Sequence, residues 1–352
     1  MATHFSISAI QVDDNTLSRS ASVRVGTSGD VKFKTPLKVG MYGVIELPLY
    51  EAHRRISPNL ILNCLKSEDK DRATGRDLKK RCKGKFNILN VEYDHKEIVP
   101  TERMIVALSD MQYNNTDVIA TPSWFDLITK KNYVDTDLYL GLSKTFIEAA
   151  STRNHKPIMG TIPQSIPPED LEKVIQFFID SDITSFIVDS HGRTLISGSW
   201  IRAFQRSLDR YDIEKECLLY TLNAYQGMVR KVESGIEAKD FIGFTAGFDI
   251  IGGKHSTKFS SQPEDYDSVR VGRVFKKDTY TYEKRICSAT DKQLIDEQTI
   301  RDQNAELQNV REVIADGQVK DLLEHKLLSH ETLSTIFSFK DDRYSTRLDD
   351  FI

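Results

Sequence analysis

A strand, a helix and a second strand are written without interruption between Pro157 and Asp189, and the two strands of such a unit must run parallel. The apolar run Ile158 to Ile162 gives way to a polar turn, and Pro168 then stands at a first helical position, where its missing N–H is harmless. Glu169 and Asp170 face the positive helix start. Leu171, Val174, Ile175 and Phe178 mark one helical face before Phe186 to Val188 opens the next strand. In parallel sheets, residues just beyond the strands line the functional face. Gln164 and Asp189 to His191 hold those positions here.

The same buried-strand signature recurs at Leu60 to Asn63, Met104 to Leu108, Val118 to Thr121, Cys217 to Leu222 and Phe241 to Ala246. Amphipathic stretches lie between them, at Asp137 to Ala150, Ile196 to Leu208 and Gly227 to Ser234. This alternation predicts an α/β fold. No GxGxxG follows the first strand, so the pattern favours a (β/α)₈ TIM barrel over residues 51–275 rather than an open doubly wound sheet, with an eighth strand around Val269 to Phe275. Residues 1–50 read as an antiparallel β hairpin region packed on the barrel, since Ser18 to Lys34 alternates polar and apolar residues around Gly26 to Asp30. Residues 276–352 read as a C-terminal helical extension, with Val310, Val313, Ile314, Leu322, Leu323, Leu327, Leu333 and Ile336 at helical spacings.

With 48 Lys and Arg against 52 Asp and Glu, the chain has no overall pull toward nucleic acid, and any polyanion contact must be a local patch. The highly charged insertion over residues 66–86 offers one. Arg76, Lys79, Lys80, Arg81 and Lys83 are either a solvated face or a phosphate-contacting surface. No basic leader or run of about 18 apolar residues is present, which predicts a cytoplasmic protein without a membrane partner. Cys64, Cys82, Cys217 and Cys287 never form a CxxC, and the histidines show no HExxH, so spacing points to no metal site or disulfide framework.

Polar groups fall beyond several strand candidates: Asp110, Gln164, Asp189 and Asn223. In a barrel such groups converge on one mouth; taken singly, each also suits a helix cap or a turn. The segment Asp240 to His255 holds Gly243, Gly247, Gly252 and Gly253, which leave room for a ligand or for close backbone approach. Asp249 and His255 beside them offer a nucleophile or base; the alternative has Asp249 capping a turn and His255 on the surface. His191 with Asp110 or Asp249 would form an acid–base pair. Of the neighbours Asp189, Ser190 and His191, at most two can share one site.

Several segments match, in order, a known pattern. Ser18 to Pro36 looks like an opening hairpin, Asn59 to Asn63 a first barrel strand, Leu108-Ser-Asp-Met-Gln112 an Asp-bearing second, and Asp117 to Trp124 a third. Gly160-Thr-Ile-Pro-Gln164 sits like a Gly-Ile-Gln-Gly strand, Leu219 to Val229 with Gly235 to Asp240 like a late strand and helix, and Leu322 to Leu333 like a C-terminal helix. On these segments the chain resembles the tRNA-guanine transglycosylase superfamily. In that family an Asp attacks C1′ of a nucleoside, expels guanine and holds a covalent glycosyl intermediate until a 7-deazaguanine replaces the base. The resemblance implies proton transfer by Asp110 and base reading around Gln164. Gly243 stands near the family nucleophile's place, so Asp249 takes that role; Ser123 replaces a base-recognising Asp, and Asp189-Ser190 replaces a Gly-Gly. Only Cys287 falls in the family's zinc region, so neither zinc nor another cofactor is implied. These departures point to a divergent paralogue of the kind tied to DNA 7-deazaguanine modification or antiviral defence. It would bind guanine or 7-deazaguanine and exchange it on tRNA or DNA, with Asp110 and Asp249 catalytic. Gln164, Ser123, Asp189, Ser190, His191, Asn223 and Gly243 would bind substrate. A second copy of the chain or a protein encoded beside it is the expected protein partner. The alternatives are an inactive barrel that binds a nucleotide, modified base or protein, and an unrelated lyase or hydrolase using His191 and Asp189.

Overall fold

The computed structural model describes residues 5–25, 31–41, 47–82, 84, 86–130, 133–153, 156–196, 198–227, 235–255 and 270–349. Its centre is an eight-stranded sheet in which every pairing is parallel: β1 (Leu37–Lys38), β2 (Tyr50–Ile56), β3 (Asn87–Tyr93), β4 (Val118–Ala120), β5 (Ile158–Pro163), β6 (Phe186–Asp189), β7 (Leu219–Leu222) and β8 (Ile250–Ile251). Strands β2 to β8 are neighbours in sequence order, and β1 pairs with β8. The two outermost strands also meet: Gly40, just past β1, donates its N–H to the Leu49 carbonyl at 3.0 Å and accepts from the Glu51 N–H at 2.9 Å.

Side chains of each strand alternate between two cores, as a period of two requires. Ile88, Val118, Ala120, Met159, Ile187, Tyr220 and Ile250 share one face with Leu37 and Val39. Leu89, Val91, Ile119, Ile162, Val188, Leu219 and Ile251 face the other way, against Leu108, Phe146, Phe178 and Phe204 of the connecting helices. The Pro157 to Asp189 unit forms as its pattern predicts, with Leu171–Asp180 burying Leu171, Val174, Ile175 and Phe178. Gly160 in β5 permits that close packing, since a Cβ there would lie 2.7 Å from the Phe178 ring. Helices Thr136–Ser151 and Gly198–Arg210 also fall where the apolar spacing places them.

Three expected strands are helical. Leu60 to Asn63 lies in the helix Pro58–Lys66, capped by Ser57, whose Oγ accepts from the Leu60 N–H at 3.3 Å. Met104 to Leu108 lies in the helix Glu102–Asn115, where Met104, Ile105, Leu108 and Met111 are buried at helical intervals. Phe241 to Ala246 forms 3₁₀ turns. The strands in their place, β2 and β3, are rich in polar residues and carry no apolar run. The eighth strand is Ile250–Ile251; Arg270–Lys276 instead pairs antiparallel with Thr281–Cys287 outside this sheet. The expected helix at Gly227 to Ser234 falls mostly outside the described residues.

The N-terminal region is a three-stranded antiparallel sheet, Phe5–Val12, Arg19–Val25 and Val31–Thr35. Val23, Val25 and Phe33 cover the inner core at the strands' N-terminal ends, beside Phe86 and Leu218. The boundary expected at residue 50 moves, because β1 belongs to the main sheet. The charged insertion contains the helix Glu68–Arg81, with acids in its first turn, Lys79 to Arg81 in its last, and only Thr74 and Leu78 buried. The helix Ala289–Ala315 packs on β1, where Asn304 donates to the Lys38 carbonyl and accepts from its N–H, both at 3.0 Å. Among the described residues, no helix is long and apolar enough to cross a membrane.

Arg19 pins the N-terminal sheet to the main one. Its guanidinium is buried, forms two hydrogen bonds to Asp249 and donates to the Cys217 carbonyl at 2.8 Å. Burial alone would lower the Arg19 pKa, but the Asp249 charge outweighs it and holds the guanidinium firmly protonated. Asp249 also accepts from the Leu219 N–H at 2.9 Å and from the Thr35 hydroxyl at 3.2 Å. Asp249→Ala leaves a buried, unpaired arginine, for which a loss of roughly 3–5 kcal/mol is expected. A lower urea midpoint with unchanged slope checks this; a midpoint equal to that of the native chain would refute it.

Candidate functional site

The C-terminal ends of the strands gather a ring of polar side chains. On β2, Glu51, His53 and Arg55 alternate with Ala52 and Arg54, which puts the first three on the inner face; Asn90 and Glu92 take the same face of β3. Ser123 follows β4 and bridges to Glu92 through the backbone, with Ser123 N–H on the Val91 carbonyl at 2.7 Å. Asp189 ends β6, His191 follows it, and Asn223 follows β7.

Glu92 is the centre of this ring. One oxygen, Oε1, lies 3.8 Å from His191 Nε2 and 3.5 Å from Arg55 Nε, while Oε2 lies 3.4 Å from His53 Nε2 and accepts no well-aligned hydrogen bond. Burial would raise the Glu92 pKa, but His191, His53 and the Arg55 charge outweigh it and keep the carboxylate ionised far below its ordinary range. His191 Nδ1 lies 3.0 Å from Asp189 Oδ1, and the imidazole stacks on Phe125 with ring centroids 3.6 Å apart. Burial would lower the His191 pKa; the charge and hydrogen bond of Asp189, joined by Glu92, overcome it and push the pKa up to about 9. Asp189 itself is fully buried yet lowered, since His191, Asn223 and Ser123 compensate for its desolvation.

The ring closes through Asn223. Its Nδ2 donates to Asp189 at 3.0 Å, and its Oδ1 accepts from the His255 N–H at 2.8 Å. His255 stacks on His53 at 5.0 Å and bonds Glu51, which also accepts the Gly253 N–H at 3.0 Å. His191 (φ 46°) and Asn223 (φ 56°) both adopt left-handed backbone, an unfavourable conformation that turns the chain sharply at the ends of β6 and β7. Gly252 serves backbone approach: a Cβ there would lie 2.0 Å from the Thr221 carbonyl oxygen.

Of the residues singled out from sequence, Gln164, Ser123, Asp189, Ser190, His191, Asn223 and His255 come to this end of the sheet. Gln164 donates its side-chain N–H to the Thr194 carbonyl at 2.9 Å. Asp249 does not join them, because it stands at the opposite, N-terminal end of β8 on Arg19. Asp110 is on the outer helix Glu102–Asn115, half-buried and ion-paired with Arg153. Neither can form an acid–base pair with His191. Gly243 sits in the 3₁₀ turns under Leu195, where a Cβ would lie 2.9 Å from Leu195 Cδ1. Arg76, Lys79, Lys80 and Arg81 lie on the helix Glu68–Arg81, where Arg81 pairs with Asp77; Lys83 falls outside the described residues. The cysteines are unpaired thiols, and among the described residues no group of three or more His, Cys, Asp or Glu is placed to hold a metal ion.

Glu51, His53, Arg55 and Glu92 escape any reading based on apolar runs. Their signal is the period-two alternation Glu51, His53, Arg55, which marks a strand with one polar, inward face. Comparison with protein-family models gives no match, and neither does comparison with curated proteins.

The raised His191 pKa makes stability depend on pH. Because the folded value of about 9 exceeds the ordinary 6.5, the contribution is fully present below about pH 6.5 and is lost as pH rises through 9. Titration of the His191 ring by NMR is expected to show a midpoint well above 6.5, falling back toward it in Asp189→Asn. A midpoint near 6.5 in the native chain would contradict the ion-paired geometry.

Proposed function

We propose that the sheet is a closed (β/α)₈ barrel and that the ring at its strand ends is the active site of a base-exchanging protein for guanine or 7-deazaguanine on a nucleic acid. Support for closure comes from the Gly40 hydrogen bonds that join β1 to β2. The observation that carries the function is Glu92: a buried carboxylate, held ionised, with one oxygen accepting no aligned hydrogen bond and a protonated imidazole beside the other. A nucleophile and an acid are what glycosyl transfer with a covalent intermediate needs.

In this reading the roles move from Asp249 and Asp110 to Glu92 and His191. Glu92 Oε2 bonds to C1′ as the bond from C1′ to the base nitrogen breaks, and His191 gives its proton to that nitrogen. Asp189 holds the imidazole in place and stabilises its charge. The incoming base returns a proton to His191 as it displaces Glu92. Asn223, Ser123 and Gln164 are the neutral groups beside the leaving base.

Incubation with labelled guanine or a 7-deazaguanine and tRNA or DNA tests this. Incorporation is expected in the native chain and in Asp249→Asn assayed below its unfolding temperature. Glu92→Gln is expected to form no adduct, and His191→Gln to lose about 10²–10⁴-fold in rate, the usual worth of a general acid. Incorporation by Glu92→Gln at the native rate, or none by the native chain with any of these substrates, would refute the proposal. A second reading, a binding module without turnover, is favoured by the completeness with which Glu92 is already compensated by His191 and Arg55, and Asp189 by His191 and Asn223. Stabilisation by a purine with no exchange would select it.

A further inference from the structure

Next to the ring, but outside it, a cavity of about 240 Å³ opens between the end of β8, the strand Arg270–Lys276 and the helix Ala289–Ala315. Lys38, Lys254, Arg273 and Lys292 line it, against one carboxylate, Asp296, which is already paired with Lys292. Lys38 is buried in β1; its ammonium donates to the Gly252 carbonyl at 2.5 Å and lies 3.7 Å from Asp240. Asp240 also accepts from the Tyr282 hydroxyl at 2.7 Å and from Gln226 at 3.1 Å, so its charge is shared among three donors. Arg273 directs its guanidinium at the carbonyls of Gln226 and Gly227 rather than at an acid. Among the described residues, neither Lys254 nor Arg273 has an ion-pair partner. Burial, and then the Arg273 charge, lower the Lys254 pKa, the mark of cations crowded together in a half-desolvated wall.

Lys254 and Arg273, beside the already paired Lys38 and Lys292, lack matching carboxylates, and such cations lower their energy when an anion enters. The volume lies just below the roughly 300–1,000 Å³ of ordinary small-molecule pockets, which suits a small charged group. Two ammonium groups and a guanidinium arriving from different elements suit an oxyanion that presents acceptors in several directions better than a planar carboxylate. Gly253 ties the cavity to the ring, since it lines the former and donates its N–H to Glu51 in the latter.

We propose that this cavity is a phosphate subsite, in which Lys38, Lys254 and Arg273 bind a phosphoryl dianion held beside the ring. The phosphoryl group belongs either to a nucleotide whose base enters the ring, a source that rests on the function proposed above, or to free phosphate. Calorimetry with inorganic phosphate on the full chain, at ionic strength matched with chloride, tests the site. Saturable binding is expected, weakened at least tenfold in Lys254→Gln, which breaks no ion pair, and unchanged in Lys284→Gln on the exposed strand face. Arg273→Gln is expected to weaken it as well. Phosphate and chloride giving the same response, or Lys254→Gln binding as the native chain does, would overturn the proposal. A nucleoside 5′-monophosphate separates the two sources. Tighter binding than phosphate, reduced in both Lys254→Gln and Glu92→Gln, assigns the phosphoryl group to the ring's ligand. Equal binding that Glu92→Gln leaves untouched assigns free phosphate and keeps the subsite. Because Lys254→Gln reads the cavity and Glu92→Gln the ring, failure of either proposal is seen separately.

Discussion

Two backbone hydrogen bonds join Gly40, just past β1, to Leu49 and Glu51 at the start of β2, while β1 itself pairs with β8. Beside that contact Glu51 accepts the Gly253 N–H and His53 stacks on His255. The meeting of β1 and β2 therefore decides which residues share the ring. It also explains why a seven-residue strand as polar as Tyr50–Ile56 is tolerated: its inward face is matched by charge and its outward face supplies Ala52 and Ile56 to the outer core.

Charge compensation then sets the chemistry. Glu92, Asp189 and Glu51 are buried carboxylates in one neighbourhood, an arrangement that would be strongly unfavourable without cations among them. His191 is held protonated between Asp189 and Glu92, and Arg55 reaches Glu92, Asp94 and Asp126 at 3.5, 2.7 and 3.0 Å. The same logic operates at the other end of the sheet, where Arg19 and Asp249 bond the N-terminal sheet to β8, but there every donor and acceptor is used in holding elements together. Buried carboxylates at both ends are thus compensated, by an arginine at one and by His191 with Arg55 at the other. The difference is that Glu92 Oε2 accepts no aligned hydrogen bond.

The unit from Pro157 to Asp189 is legible because its strands are apolar, its helix is amphipathic and its Pro sits at a helix start. Met104 to Leu108 and Leu60 to Asn63 mislead for the converse reason: a short apolar run satisfies a buried strand and one face of a helix equally well, and length and capping decide between them. For Leu60 to Asn63 the deciding residue is Ser57 with Pro58, read correctly only if the cap is sought first. Asp110 suggests a place at the mouth because it follows an apolar run, and Asp249 because it stands among glycines; once Met104 to Leu108 is a helix and Ile250–Ile251 the strand, Asp110 turns outward and Asp249 falls at the far end.

By itself, then, the sequence determined the parallel strands β4 to β7, the antiparallel N-terminal region, the C-terminal helices and the strand-end positions of Gln164, Asp189, His191 and Asn223, because periodicity and turn chemistry are local. Only the tertiary structure decided that His53 and Glu92 join His191, that Asp249 belongs to Arg19, and that Lys38 shares a cavity with Lys254 and Arg273. Those partners are tens to hundreds of residues apart in the chain, 230 between Arg19 and Asp249, and no local pattern encodes which inward-facing side chains the sheet will bring together.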